Sequence, residues 1–262
     1  MNRPDTSIPV TAINPGLRQA IATPRPDVMI VSHERSGTHF LINSLVAAYG
    51  YSLSRFVHFD QMTLPINYFA ARSVADVLSK IAARRSSTLI KSHHTAEFFE
   101  GVLDEVLKHT AIFYIHRDPV EVMISAWRFM HIWKWHEGPR LARALDFAAA
   151  EPEGQMLRYQ MKQRRNMLDR WARHVDGWTA AAEGRDCLVV VRFDQLKNNY
   201  EQTVSAFANV LGPHSGTLAA PSRHENVIIG PPADRFERPD VGALRALALA
   251  EVGDTMKRQG YA

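Results

Sequence analysis

Four short apolar runs, each followed by polar residues and then by a stretch with helical spacing, constrain the fold of this chain more than any other feature. The runs are residues 27–31, 88–91, 111–115 and 187–191. Strands buried on both faces of a parallel sheet have continuous apolar sequences, and parallel strands need long crossover connections, usually helices. The alternation therefore predicts an α/β fold, a single domain with a central parallel sheet of about five strands and helices on both faces.

The predicted domain begins after a proline-rich N-terminal segment. Residues 1–26 contain five prolines without sustained periodicity, which predicts an extended arm. The remaining residues, 27–262, form the predicted domain. A chain of 262 residues with 46% apolar and 22% charged side chains has the composition of an ordinary globular protein, and its length suits one large α/β domain.

The charge of the chain is mildly positive. The 31 Lys and Arg exceed the 27 Asp and Glu by a net charge of +4, which does not demand a nucleic-acid partner and suits an anionic small molecule. The N-terminal stretch lacks the apolar region of a signal peptide, and Cys187 is the only cysteine. The apolar strings are too short to span a bilayer. We therefore expect a cytoplasmic protein without a membrane span.

Metal ligands do not form a recognisable pattern in the sequence. The 12 His include no HExxH motif and no His/Cys cluster, so we expect no metal site.

A long segment between the third and fourth predicted strands has an apolar helical face that we expect to be core. Its apolar members are Leu157, Met161, Leu168, Trp171, Val175 and Trp178. The basic residues of the same segment predict a solvated face in preference to a polyanion-binding patch. These are Lys162, Arg164, Arg165, Arg170 and Arg173.

The polar residues after each strand are the first candidates for a binding site, because ligands of open parallel sheets bind at the carboxyl ends of the strands. The first loop, residues 32–38, enters a helix whose free N–H groups favour a phosphate. Gly37 permits close approach of a ligand, and Thr38 offers a hydroxyl. The loop is not a Walker A loop, because Arg35 precedes the glycine and no Lys follows it. On these residues alone, a plain connection and an anion-binding loop remain equally open.

The second and third strands end in further cations and imidazoles. Lys91 and His93 follow the second strand, where a histidine is suited to act as a general base near neutral pH. Arg117 follows the third strand and can bind a phosphate with two hydrogen bonds. Ser125 lies eight residues later, about two helical turns on. The alternatives are a surface histidine pair and an Arg117 that pairs only with Asp118.

These motifs together resemble a known family, the cytosolic-type sulfotransferases, and in particular a bacterial-like member of it. The resemblance is carried by residues 35–40, residues 91–93, the pair Arg117 and Ser125, the Trp171, His174 and Trp178 helix, residues 191–196 and residues 236–238. It runs from Val28 to the end of the sequence, and the order and spacing of the motifs make it specific. It implies a P-loop-like loop that binds 3′-phosphoadenosine 5′-phosphosulfate (PAPS) and a nucleotide product, adenosine 3′,5′-bisphosphate.

The resemblance also implies which residues bind the donor. The 5′-phosphosulfate would be held by Arg35, Ser36, Gly37, Thr38 and His39, the 3′-phosphate by Arg117, Ser125 and Arg238, and the adenine by Phe40 and Phe193. The sequence departs from the family pattern at three places. Arg35 stands where a lysine is more frequent, His39 where a hydroxyl residue is usual, and Arg238-Pro239-Asp240 where the family has Arg-Lys-Gly.

By the same resemblance, His93 would take the proton of an acceptor hydroxyl, while Lys91 and Arg35 would stabilise the transferring sulfuryl group without a metal. His94 and Glu34 are alternative bases. Neighbouring residues on an extended strand point in opposite directions, so only one of the two histidines can face the donor.

The acceptor is the least determined partner. Residues 56–69, 127–135 and 227–236 are candidate walls of an apolar pocket, which favours a hydroxyl, or an amine, of a small apolar or aromatic molecule. A sugar and a lipid-linked alcohol remain open, as does a homodimer. Two rival classes are an ATP-dependent phosphotransferase, which the missing Walker lysine disfavours, and a non-catalytic nucleotide-binding module.

Overall fold

The structure is a computed structural model that describes residues 25–53, 56–59, 71–84, 86–133, 135–222 and 238–262. Most of the predicted N-terminal arm therefore lies outside the described residues. So do residues 60–69 of the predicted pocket wall 56–69 and all of the predicted wall 227–236. The arm and the domain boundary at residue 27 stay predictions.

A five-stranded parallel sheet forms the centre of the molecule. Its strands are β1 (Asp27–Ser32), β2 (Phe56–His58), β3 (Leu89–Ser92), β4 (Thr110–His116) and β5 (Leu188–Arg192). They are ordered β2-β3-β1-β4-β5, and every neighbouring pair is parallel. The predicted α/β class is confirmed.

Helices connect the strands and cover the sheet. They are α1 (Thr38–Tyr49), α2 (Ala71–Ala82), α3 (Leu103–Leu107), α4 (Pro119–Ile132), α5 (Ala144–Ala149), α6 (Met167–Ala182), α7 (Phe193–Asn198), α8 (Tyr200–Ala206), α9 (Ala208–Leu211) and α10 (Val241–Arg258). Two 3₁₀ helices lie at Ala96–Phe99 and Gly154–Tyr159. Within the described ranges, no helix is both long enough and apolar enough to cross a membrane.

The sheet separates two apolar cores, as the period of two along a strand requires. Val28 and Ile30 of β1 contribute to the core on the side of α1 and α8. Met29 and Val31 contribute to the opposite core, which contains the apolar faces of α4 and α6. Helices on both faces explain why β1 is continuously apolar in sequence.

The order of the strands brings three predicted loops together. β1 lies between β3 and β4, while the chain moves from β1 outward to β2 and then returns in the other direction through β3, β4 and β5. The carboxyl ends of β1, β3 and β4 are therefore adjacent at the point where the strand order reverses, which is where open α/β sheets bind ligands.

The helix predicted between β4 and β5 starts later than its apolar spacing indicated. Asn166 caps α6 by accepting a hydrogen bond from the Asp169 N–H, and the helix begins at Met167. Leu157 and Met161 are exposed, in contrast to the buried Trp171. Their prediction as core was wrong, because the chain before the cap forms a short 3₁₀ helix and a loop.

Candidate active site

The loop between β1 and α1 has an unusual backbone. Arg35 and Gly37 both have positive φ angles, 67° and 103°. A left-handed conformation costs a non-glycine residue about 1–2 kcal/mol, so Arg35 must be held by its surroundings. The first N–H groups of α1 have no partner within the helix. The Ser36 hydroxyl is buried and, in the described part of the chain, has no hydrogen-bond partner. These donors fit a bound anion.

Gly37 is required at its position for two reasons. Its φ of 103° disfavours any side chain, and an added Cβ would lie 2.3 Å from Cδ2 of Phe193. We therefore expect Gly37→Ala to weaken the binding of adenosine 3′,5′-bisphosphate by about tenfold or more, by calorimetric titration. Gly101→Ala is the matched control, because Gly101 has a similar φ of 79° with open space around it. Equal nucleotide affinities of the two variants would contradict this expectation.

His93 is held in one tautomer. Its Nδ1 lies 2.8 Å from the carbonyl oxygen of Ser32 and 3.2 Å from the Ser32 hydroxyl. A carbonyl only accepts, so Nδ1 carries the proton and Nε2 presents a lone pair. Burial and the nearby positive charge of Lys91 lower the pKa of His93 well below 6.5. The imidazole is therefore neutral at pH 7, the state that a general base needs.

His94 lies in a different environment. Its ring packs on Phe98 at a centroid distance of 4.2 Å and meets the edge of Phe59 at 5.6 Å, while its Nδ1 lies 3.0 Å from the Ser92 hydroxyl. Its packing is that of a core residue, as the alternation along a strand leads us to expect. The geometry favours His93 over His94 as the base.

Glu34 is engaged in a buried ion pair. Its two carboxylate oxygens each accept a 2.7 Å hydrogen bond from the Arg170 guanidinium. This pairing holds the pKa of Glu34 well below its usual range against the opposing effect of burial. Both carboxylate oxygens of Glu34 are occupied by the Arg170 guanidinium, which makes Glu34 a poor base for an acceptor hydroxyl. Arg170 and Arg164 were predicted on a solvated face, and this was wrong, since their side chains are only 2% and 8% exposed.

Side chains of helix α6 form hydrogen bonds to the backbone of the loops that follow β3 and β4. Trp171 Nε1 donates to the Arg117 carbonyl at 3.1 Å, and Trp178 Nε1 donates to the His94 carbonyl at 3.0 Å. His174 Nε2 lies 3.2 Å from the His93 carbonyl and donates to it, because a carbonyl only accepts, and its Nδ1 then accepts from the Tyr114 hydroxyl at 3.1 Å. One side of one helix thus supports the chain at both candidate catalytic loops.

Positive charge is concentrated at the rim of the loop. The Arg35 guanidinium lies over the Phe129 ring at 4.8 Å, and its Nε donates to the Ser125 hydroxyl at 3.2 Å. Burial, with the charges of Lys91 and Arg35, lowers the pKa of His39 to about 4. The positive charges of Arg35 and Lys91 thus both act on His39, and this grouping of charge suits a multiply charged anion.

Three of the residues predicted to bind the adenosine 3′-phosphate part of the donor lie in contact with one another. Arg117 donates from Nε to Glu121 at 2.5 Å and lies over the Phe193 ring at 4.4 Å. Phe193 meets the edge of Phe40 at a centroid distance of 6.0 Å. Arg238 is exposed two residues before the Asp240 cap of α10, and no contact joins it to the other predicted site residues in the described part of the chain.

The predicted acceptor wall of residues 127–135 is only partly at the site. Trp127 is buried in the core, where its Nε1 donates to the Leu141 carbonyl at 2.8 Å, so its prediction as a pocket wall was wrong. Trp133 stacks on Phe129 at 5.0 Å, next to Arg35. Sequence reasoning missed Tyr159, whose ring lies 5.4 Å from that of His93.

The order of the strands, the β1–α1 loop with its unpaired donors and the positive charges beside that loop define an α/β protein. Such a protein binds a phosphorylated or sulfated ligand at its topological switch point. Residues 25–224, about three quarters of the chain, match the family model of the sulfotransferase domain. The chain belongs to this family, and the enzyme class predicted from the sequence, sulfotransferase, is confirmed. In the described part of the chain, no three His, Cys, Asp or Glu side chains are grouped as metal ligands.

One solved structure with a TM-score above 0.5 agrees with this fold. A mouse sulfotransferase, SULT7A1, complexed with PAP has a TM-score of 0.52 at 12% identity, with 90% of this chain and 89% of that chain covered. A sulfotransferase from Alicyclobacillus acidocaldarius has a TM-score of 0.48 at 16% identity, with 89% of this chain and 95% of that chain covered. No curated protein matches the sequence.

Proposed function

We propose that the chain transfers the sulfuryl group of PAPS to a hydroxyl of a small acceptor, with His93 as the general base. The observation that carries this proposal is the tautomer of His93. Its Nδ1–H donates to the carbonyl of Ser32, the last residue of β1 before the β1–α1 loop. The basic Nε2 is therefore available to an acceptor, and a sulfotransferase needs its base beside the donor loop.

The donor loop fits the 5′-phosphosulfate. The buried Ser36 hydroxyl and the first N–H groups of α1 supply donors for the 5′-phosphate. Arg35 and Lys91 supply positive charge beside it. These cations stabilise the negative charge that develops on the bridging oxygen as its bond to sulfur breaks.

The reaction proceeds in one displacement. The acceptor oxygen forms a bond to sulfur, while His93 Nε2 takes the hydroxyl proton and the bond between sulfur and the bridging oxygen breaks. The products are the sulfated acceptor and adenosine 3′,5′-bisphosphate. Burial keeps His93 neutral at the start of this step, as its lowered pKa requires.

Arg117 and Ser125 hold the 3′-phosphate in this proposal, and Phe40 and Phe193 flank the adenine. Within the described residues, the Glu121 carboxylate contacts Nε of Arg117, which leaves the terminal nitrogens of the guanidinium for a ligand. The role of Arg238 stays a prediction. The mouse sulfotransferase of the same fold was solved with PAP, which supports the same nucleotide here.

The acceptor is proposed to be a small molecule with an apolar body. The aromatic rings of Phe129 and Trp133 lie beside Arg35, and such rings suit an apolar or aromatic acceptor. The cytoplasmic location and the oligomeric state stay predictions.

A comparison of two nucleotides tests this function. Adenosine 3′,5′-bisphosphate is expected to bind more tightly than ADP by about one to two orders of magnitude, because a charge-assisted hydrogen bond to the 3′-phosphate contributes about 1.5–3 kcal/mol and ADP lacks that phosphate. Calorimetric titration of each nucleotide measures the difference. Equal affinities would contradict the proposal, and tight binding of ATP with Mg²⁺ would support the phosphotransferase instead.

A further inference from the structure

The buried ion pair between Arg170 and Glu34 is not used by the reaction described above. The two terminal nitrogens of Arg170 each contact one oxygen of Glu34 at 2.7 Å. A terminal nitrogen also donates to His33 Nε2 at 2.8 Å, and Nε donates to Gln160 Oε1 at 3.0 Å. Because arginine only donates, His33 Nε2 must accept, and His33 Nδ1 then donates to the Glu34 carbonyl at 3.0 Å.

This network joins three segments of the molecule. Glu34 and His33 belong to the donor loop, Arg170 belongs to α6, and Gln160 follows the 3₁₀ helix that carries Tyr159. The contacts fix the peptide group of Glu34 from both its side chain and its carbonyl. The next residue is Arg35, whose left-handed backbone needs an external constraint.

The pair also affects the charge at the donor loop. The carboxylate of Glu34 lies one residue from the loop positions that face an anion, where a free negative charge would repel the 5′-phosphate. Arg170 neutralises that charge, and its own side chain is buried, at 2% exposure. A buried ion pair of this kind is weak as a source of stability but strong in fixing orientation, because a bidentate arginine allows one geometry.

We propose that Arg170 is a positioning residue for the donor: through Glu34 it fixes the loop conformation that binds the 5′-phosphate of the nucleotide. This inference rests on the proposed function, since it presupposes that the loop binds that phosphate.

The test separates the 5′-phosphate from the rest of the ligand. Calorimetric titration compares adenosine 3′,5′-bisphosphate with adenosine 3′-monophosphate, which lacks only the 5′-phosphate. The dissociation constant of adenosine 3′-monophosphate divided by that of adenosine 3′,5′-bisphosphate measures how much the loop contributes to binding through the 5′-phosphate. We expect Arg170→Gln to reduce this ratio by about tenfold or more, as the loss of one charge-assisted contact would. Arg170→Lys should give an intermediate reduction, because an ammonium cannot reproduce the fork.

Arg173→Gln is the matched control. Arg173 lies three residues further along α6, is 61% exposed and contacts Asp169, so its replacement should leave the ratio unchanged. If Arg170→Gln does not fold, as judged by its thermal transition, Glu34→Gln removes the same ion pair with a neutral side chain of equal size. Loss of the negative charge alone would raise the ratio, whereas loss of the loop conformation lowers it, and we expect it to fall.

The outcomes distinguish the inference from the function. A ratio that stays at the wild-type value in folded Arg170→Gln or Glu34→Gln would overturn the positioning role, even if both nucleotides bind more weakly, because a general structural defect weakens both equally. A wild-type protein that does not bind adenosine 3′,5′-bisphosphate would instead refute the proposed function.

Discussion

His93→Gln is expected to lower kcat by about 10²–10⁴-fold while the affinity for adenosine 3′,5′-bisphosphate stays within a few fold. A general base contributes a factor of this size to the rate, and His93 acts on the acceptor rather than on the nucleotide. Glutamine can keep the hydrogen bond to the Ser32 carbonyl through its amide N–H but has no basic lone pair. The measurements are steady-state turnover and calorimetric titration of the nucleotide.

His94→Gln is the control for this experiment. His94 packs against Phe98 and Phe59, so its replacement should lower thermal stability and leave kcat of the folded protein largely unchanged. An active His93→Gln enzyme together with an inactive but folded His94→Gln enzyme would show that the base is assigned to the wrong histidine.

The pH dependence of kcat/KM provides a second readout of the same base. Protonation of the imidazole removes its ability to accept a proton, so activity should fall as the pH drops through the pKa of His93. Because burial and Lys91 lower that pKa, the acid limb of the profile should lie well below pH 6.5 in the free enzyme.

Arg117→Ala is expected to remove most of the preference for adenosine 3′,5′-bisphosphate over ADP, a loss of about one to two orders of magnitude in the affinity ratio. Arg117→Lys should recover only part of it, because a point charge cannot form two parallel hydrogen bonds to a phosphate. Ser125→Ala should cost less than Arg117→Ala, because it removes a neutral hydroxyl. Titration of both nucleotides into each variant measures the ratio.

Arg192→Ala is a close control for Arg117→Ala. Arg192 ends the neighbouring strand β5, pairs with Asp194, and is 26% exposed, compared with 25% for Arg117. Its loss removes an equal charge from the same edge of the sheet. If both variants reduce the ratio equally, the preference arises from general positive charge and not from a 3′-phosphate contact at Arg117.

The sequence allowed prediction of those parts of the site that follow directly from strand ends. Arg35, His93 and Arg117 each come just after an apolar run, and the parallel arrangement of the strands is enough to bring such residues to one edge. Two apolar cores on either side of β1 likewise follow from its uninterrupted apolar residues.

The parts that escaped prediction have physical reasons. Strand β2 has only three residues, too few to show a period of two. Leu157 and Met161 matched the helical spacing of α6 by coincidence, although Asn166 followed three residues later by Asp169 is a start signal that would have corrected the boundary. The pairing of Glu34 with Arg170 spans 136 residues, and no local pattern reports such a contact.

Trp171, His174 and Trp178 lie along one side of helix α6, and their spacing constrains the relative positions of the three carbonyls that they bind. A helix rises about 1.5 Å per residue, so the Cα atoms of the residues that hold the Arg117 and His93 carbonyls are about 4.5 Å apart along its axis, and those of the residues that hold the His93 and His94 carbonyls about 6 Å apart. The helix therefore helps to fix the distance between the candidate base and the candidate 3′-phosphate arginine, in addition to the strands that precede their loops. One residue inserted between Trp171 and His174 would turn them by about 100° relative to each other, so that the helix could no longer bind both loops at once.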